Sequence, residues 1–226
     1  ELAAQVAQLD AQVREIKSKV DIMETSEEGM AVAKKLQDAT RELLKARYGG
    51  VEPYRVKIVL EFQDTIPDFA ENGPNGTITI EMAPSKLVPH SVFSFLEIAR
   101  TWKGGSFHRQ APHVLQVAVS KPSVKHLAFQ EYSPEFPHVQ GTVGYAGRPS
   151  GPAWYISIKD NSKNHGPGSQ QQHNPYEADS CFGRVVGGFE DVVPRIRKMP
   201  AKDGFIADSK KHVLIRQMHI LVKDPN

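Results

Sequence analysis

The chain has a single cysteine, Cys181, which excludes an internal disulfide and a zinc cage built of thiolates. Set between Ser180 and Phe182, that thiol reads as small-residue core filling. No apolar run approaches the roughly 18 residues that cross a bilayer, and the first residues lack a signal-peptide pattern. The chain opens on Glu1 rather than methionine, so we expect a fragment. A secretory signal or membrane anchor could then precede it, and the compartment stays open. Asn75-Gly76-Thr77 is a glycosylation acceptor triplet in a turn, a weak pointer in the same direction. Charge of one sign is missing too. The 28 basic and 26 acidic residues are well mixed, the net charge is +2, and no phosphate-tracking surface or nucleic-acid partner is expected. The nine histidines show no metal-ligand spacing, so neither a metal nor a cofactor is expected.

What the chain does have is enough apolar material for one sizeable core and an appendage: 39% hydrophobic and 24% charged over 226 residues. Two periodicities divide it. Leu2, Val6, Leu9, Val13, Ile16, Val20 and Met23 recur in alternating steps of four and three, a heptad seam. The seam admits a parallel two-stranded coiled coil of open strand number, or a single amphipathic helix lying on the globular part. Its narrowness favours pairing of residues 2–23 with a second copy or another helix. Thr25 and Glu28 form a capping box opening a second helix that runs to about Arg47, and Gly49-Gly50 with Pro53 ends it. Residues 1–52 are therefore expected to form a helical coiled-coil stalk, and 53–226 the globular domain.

Beyond Pro53 the period becomes two. Tyr54, Val56, Ile58, Leu60 and Phe62 alternate with polar residues, and Ile78, Ile80 and Met82 do so after a turn at 72–76, which predicts a hairpin. Pro89 opens a helix with Val92, Phe93, Leu96 and Ala99 on one face. Further strands are predicted at 106–109, 114–119, 141–146, 153–159, 181–186 and 212–222, with a short helix near 190–197. Many short strands with two helices predict a mostly β fold: a closed antiparallel barrel capped by two helices, with an N-terminal helical extension.

The run Gly104-Gly105-Ser106-Phe107-His108-Arg109-Gln110-Ala111-Pro112 delivers an arginine from a glycine-loosened turn into a strand. A guanidinium keeps its charge and carries five donors in one plane, so it can be aimed at an amide with little reorganisation. Alone, the run fits a surface salt-bridging arginine equally well.

Taken in order, five motifs resemble the cyclophilins, the family of peptidyl-prolyl isomerases. They are Gly76-Thr77-Ile78-Thr79-Ile80-Glu81-Met82-Ala83 with the Phe93, Phe95, Leu96 helix; Ser106-Phe107-His108-Arg109 with Pro112; Gly141-Thr142-Val143-Gly144-Tyr145-Ala146; Cys181-Phe182-Gly183-Arg184-Val185; and Gly188-Phe189-Glu190-Asp191-Val192-Val193. The resemblance spans about Val56 to Val222. It implies a cyclophilin-like barrel and rotation about Xaa-Pro bonds in protein clients. Arg109 would be the donor to the imide nitrogen, with His108 beside it. Val114, Leu115, Gln116, Ala146 and Tyr155 would line the substrate groove. Either Gln116 or Val117 takes the family's glutamine position. Trp154-Tyr155 stands where the family has a phenylalanine pair, and strand alternation turns Tyr155 toward the site.

Between Lys159 and Asp179 the family's tryptophan is absent, which puts cyclosporin binding in doubt, and Asp179 stands where the family has a histidine. Tyr176 or His173 could supply a wall there. The reading is a prolyl isomerase with a divergent pocket, its partners proline-containing peptides or proteins. The alternative is a non-catalytic proline-peptide-binding or scaffold module oligomerised by the stalk.

Overall fold

The computed structural model of the chain describes residues 4, 6–12, 27–124, 126–147, 150–169 and 178–221. Eight strands form the body: β1 (Arg55–Phe62), β2 (Asn75–Met82), β3 (Gly105–Gln110), β4 (Val114–Val119), β5 (Thr142–Tyr145), β6 (Trp154–Ser157), β7 (Cys181–Gly187) and β8 (Val213–Leu221). They close into a barrel in the order β1-β2-β7-β5-β6-β4-β3-β8. The pairings are antiparallel, and β8 seals the ring by pairing with both β1 and β3. Closure leaves no unpaired edge. The interior is filled by alternate residues: Val56, Ile58, Leu60 and Phe62 of β1, Ile78 and Ile80 of β2, Leu115 and Val117 of β4, and Trp154 and Ile156 of β6.

The expected strands are all present, each within a few residues of its predicted bounds. The helices differ more. Helix α1 (Glu27–Tyr48) precedes the barrel, α2 (Phe69–Asn72) interrupts the β1–β2 connection, and α3 (Pro89–Arg100) starts at the predicted proline. Two four-residue helices follow, α4 (Ser162–His165) and α5 (Val193–Ile196); α5 falls where a second cap was expected and is shorter. The barrel end is stoppered by α3, whose Phe95 packs against Trp154 and Phe182 with ring centroids 5.5 and 4.7 Å apart.

Helix α1 does not stand off from this body. Leu36, Leu43, Leu44 and Tyr48 belong to the same buried cluster as the barrel interior and α3. At its C-terminal end Tyr48 donates to Glu97 of α3, and Arg47 pairs with the same carboxylate at 3.0 Å. Gln37 reaches the buried Glu131 at 2.9 Å. Residues on both sides of position 52 thus contribute to one buried cluster. Of the heptad seam, Val6 and Leu9 are packed against that core, and Asp10 is bonded to Arg47 at 2.6 Å. The seam positions Leu2, Val13, Ile16, Val20 and Met23 and the capping-box residue Thr25 lie outside the described residues. Among the described residues, no helix is long and apolar enough to cross a membrane.

Candidate functional site

Strict alternation along β3 would send Arg109 inward with Phe107, into the barrel. The register between β3 and β4 breaks at that point: Phe107 pairs with Val117, but Arg109 pairs with Gln116, leaving His108 as the extra residue. This bulge resets the side-chain parity and turns Arg109 onto the outer face while Phe107 stays fully buried. One cross-strand row results, Arg109 opposite Gln116, Gln116 opposite Tyr155, and Tyr155 opposite Gly144, running across β3, β4, β6 and β5.

In that row Arg109 Nη1 donates to Gln116 Oε1 at 2.9 Å. Its Nε is buried and has no hydrogen-bond partner among the described residues. One face of the guanidinium lies over the Phe205 ring, 5.1 Å from the centroid. His108 sits beside it, its ring 6.4 Å from that of Phe205. Burial lowers the His108 pKa, and the neighbouring His212 and Arg109 push it further down. The imidazole is thereby held toward its neutral form.

Two residues before Gln116 on the same face, Val114 joins Ala111 and Tyr155 in a small apolar cluster separate from the main core, with Ala146 packed against it. The turn that brings Ala111 to Val114 is closed by the Ala111 amide donating to the Val114 carbonyl at 3.0 Å. Tyr155 is a tyrosine on an apolar surface, and its hydroxyl is satisfied from behind. It donates to Asp179 Oδ2 at 3.0 Å and lies 3.3 Å from His138 Nδ1. The same Asp179 oxygen meets His165 Nδ1 at 2.5 Å, and His138 Nε2 donates to the Asp179 carbonyl at 2.8 Å. His165 stacks near Tyr155, with ring centroids 4.8 Å apart, and near His113 at 5.5 Å. His113 has its pKa lowered by burial first, then by His165, Arg109 and Lys159. Gly144 leaves the room this cluster needs, because a Cβ there would lie 2.8 Å from His138 Cε1 and 2.9 Å from the Tyr155 hydroxyl.

The structure thus brings Arg109, His108, Gln116, Val114, Ala146 and Tyr155 onto one outer surface. It does not bring Leu115 there: Leu115 is fully buried in the main core, one residue out of phase with Val114 and Gln116. By the same parity Val117 is interior, whereas Gln116 accepts a hydrogen bond from Arg109. Tyr176 and His173 lie outside the described residues. Sequence reasoning missed Ala111, Phe205, His165 and His138, and marked Asp179 only as standing where the family has a histidine. Pro112 after Ala111 was a turn signal; nothing local marked Phe205 or the two histidines. Among the described residues no group of three or more His, Cys, Asp or Glu side chains is placed to hold a metal ion.

An eight-stranded closed barrel with an arginine–glutamine pair on its outer face is the setting in which the comparisons with known proteins fall. The family model described as cyclophilin type peptidyl-prolyl cis-trans isomerase/CLD matches residues 67–220. The chain belongs to that family. Among solved structures it is similar to a cyclophilin type peptidyl-prolyl cis-trans isomerase of Cryptosporidium parvum, with TM-score 0.52 and 15% identity, covering 76% of this chain and 99% of that one. That likeness concerns the fold. No curated protein matches the chain.

Proposed function

We propose that the outer face of β3, β4 and β6 binds an Xaa-Pro segment and eases rotation about its imide bond. That rotation is slow because amide resonance stiffens the bond, with a barrier of about 18–20 kcal/mol. The imide nitrogen offers a lone pair only as the bond twists, so a donor aimed at it acts mainly on the transition state. Arg109 is that donor. The observation that carries the reading is its Nη1 bond to Gln116 at 2.9 Å, which fixes a permanent cation in the row that continues into Tyr155 and its apolar neighbours. The proline ring would rest on Ala146, backed by the buried Ala111, Val114 and Tyr155, with His108 flanking the arginine. The step requires no proton transfer and no covalent intermediate.

A second reading, binding without useful turnover, is supported by the burial of three pocket residues. Ala111, Val114 and Tyr155 are 4%, 1% and 2% exposed, so of that cluster Ala146 presents the most surface to a ligand. A protease-coupled isomerisation assay on a panel of Xaa-Pro peptides, paired with peptide binding by calorimetry, separates the two. Arg109→Ala is expected to lower kcat/KM by about 100-fold or more while affinity falls less. Equal rates in variant and parent reject the role of Arg109; binding with no rate above background in the parent establishes the second reading.

The seam at residues 2–23 supports pairing with a second helix less strongly than docking on the domain, because Val6 and Leu9 are already packed against the core.

A further inference from the structure

Phe205 is the one aromatic among the large apolar side chains that stand exposed in the described residues, 52% open to solvent. The other four, Met30, Val51, Val186 and Leu221, lie away from the candidate site on α1, the linker and the outer ends of β7 and β8. The backbone under Phe205 is stapled to β3. The Gln110 amide donates to the Gly204 carbonyl at 2.8 Å and the Ile206 amide to the His108 carbonyl at 2.9 Å. Phe205 also exchanges both backbone bonds with Lys202, at 2.9 and 3.0 Å. Ile206 is buried beneath, and Gly204 takes the positive φ of 82° that brings the loop round. The ring is therefore presented from a held backbone, which reduces the conformational entropy a ligand must remove on contact. One side of it lies 5.1 Å from the Arg109 guanidinium carbon. Half of the side chain's surface remains open to solvent.

Resting on the prolyl-peptide reading of the Arg109 face, we propose that Phe205 determines substrate specificity there. Its exposed side forms an apolar shelf continuous with the arginine and seats an aliphatic or aromatic side chain of a residue flanking the proline. A ligand whose imide nitrogen is at Arg109 must pass its neighbouring residues close to this ring. An apolar neighbour covers surface that is otherwise in water, whereas a small or acidic one does not.

The test uses the full chain, a peptide panel with Phe, Leu, Ala or Glu on each side of proline, and both calorimetric affinity and isomerisation rate. Phe205→Ala removes an exposed side chain and is expected to leave the fold intact. It should lower kcat/KM and affinity for the Phe- and Leu-flanked peptides by about 5- to 10-fold while the Ala-flanked peptides change less than about twofold, narrowing the selectivity. Phe205→Leu should restore most of the preference. A loss of the same size on every peptide overturns the proposal and leaves Phe205 acting only on the arginine. So does an unchanged ranking of peptides in Phe205→Ala when the parent is active, which sinks this inference alone. A parent that neither binds nor turns over any peptide of the panel overturns the underlying reading, and this one with it.

Discussion

Asp179 occupies the place of greatest consequence behind the candidate groove, and replacing it by alanine isolates what the cluster there contributes. Its Oδ2 accepts from the Tyr155 hydroxyl at 3.0 Å and pairs with His165 Nδ1 at 2.5 Å, all three groups being buried. Asp179→Ala would strand the His165 Nδ1 donor in the interior and leave the Tyr155 hydroxyl the longer contact to His138 Nδ1 at 3.3 Å. A buried polar group left without its partner costs about 1–3 kcal/mol, and a lost hydrogen bond about 1 kcal/mol. Since the Asp179 carbonyl that takes His138 survives the substitution, the expected loss is about 2–4 kcal/mol. At roughly 2–4 °C per kcal/mol for a domain of this size, the midpoint should fall by roughly 4–16 °C.

Tyr155→Phe removes only one of the donors and leaves the aspartate its histidine, so about 1 kcal/mol is expected. The two substitutions share a hydrogen bond. Their combined cost should therefore fall short of the sum by about 1 kcal/mol. Urea and thermal unfolding followed by circular dichroism, on the two single variants and the double, read all three quantities. A loss within about 1 kcal/mol of zero for Asp179→Ala, or strict additivity, would refute the claim that this carboxylate is what holds the tyrosine in place.

Two further predictions concern stability elsewhere. Leu43 of α1 is fully buried in the core shared with the barrel, so Leu43→Ala should lower the stability of the whole domain by about 3 kcal/mol in a single transition; an unaltered barrel transition would mean that the helix is an independent appendage. The lowered pKa of His108 makes the unfolded chain the first to take up its proton on acidification. Its stabilising contribution is therefore complete above about pH 6.5 and is lost as the pH falls from there through the depressed folded value. His108→Gln should flatten the dependence of unfolding free energy on pH between about 7 and 5. A slope identical to the parent's would exclude His108 as the source.

The parts of the fold that were legible in the sequence are those with a short-range cause. Period-two alternation in Tyr54 to Phe62 and Ile78 to Met82 marks strands because one face of each must be buried, and Pro89 marks the start of α3 because its ring suits a first helical turn. The Phe107-His108-Arg109 motif and the place of Tyr155 on the opposite face from Trp154 follow from the same local rules. The heptad seam was equally legible as apolar, but what Val6 and Leu9 lie against is a long-range fact that no spacing contains.

Parity and partnership were decided in three dimensions. Arg109 would face inward by alternation; the bulge opposite Gln116 turns it out, and a bulge is a property of two strands in register. Leu115 and Val117 go to the core and Gln116 to the site by that same register. Asp179, His165 at the end of α4 and His138 meet Tyr155 from separate segments of the chain, and Phe205 reaches Arg109 from beyond β7. The sequence by itself determined which segments would be strands and helices, because side-chain periodicity is local; which side chains share a surface depended on how distant strands slide against one another, and only the closed barrel sets that.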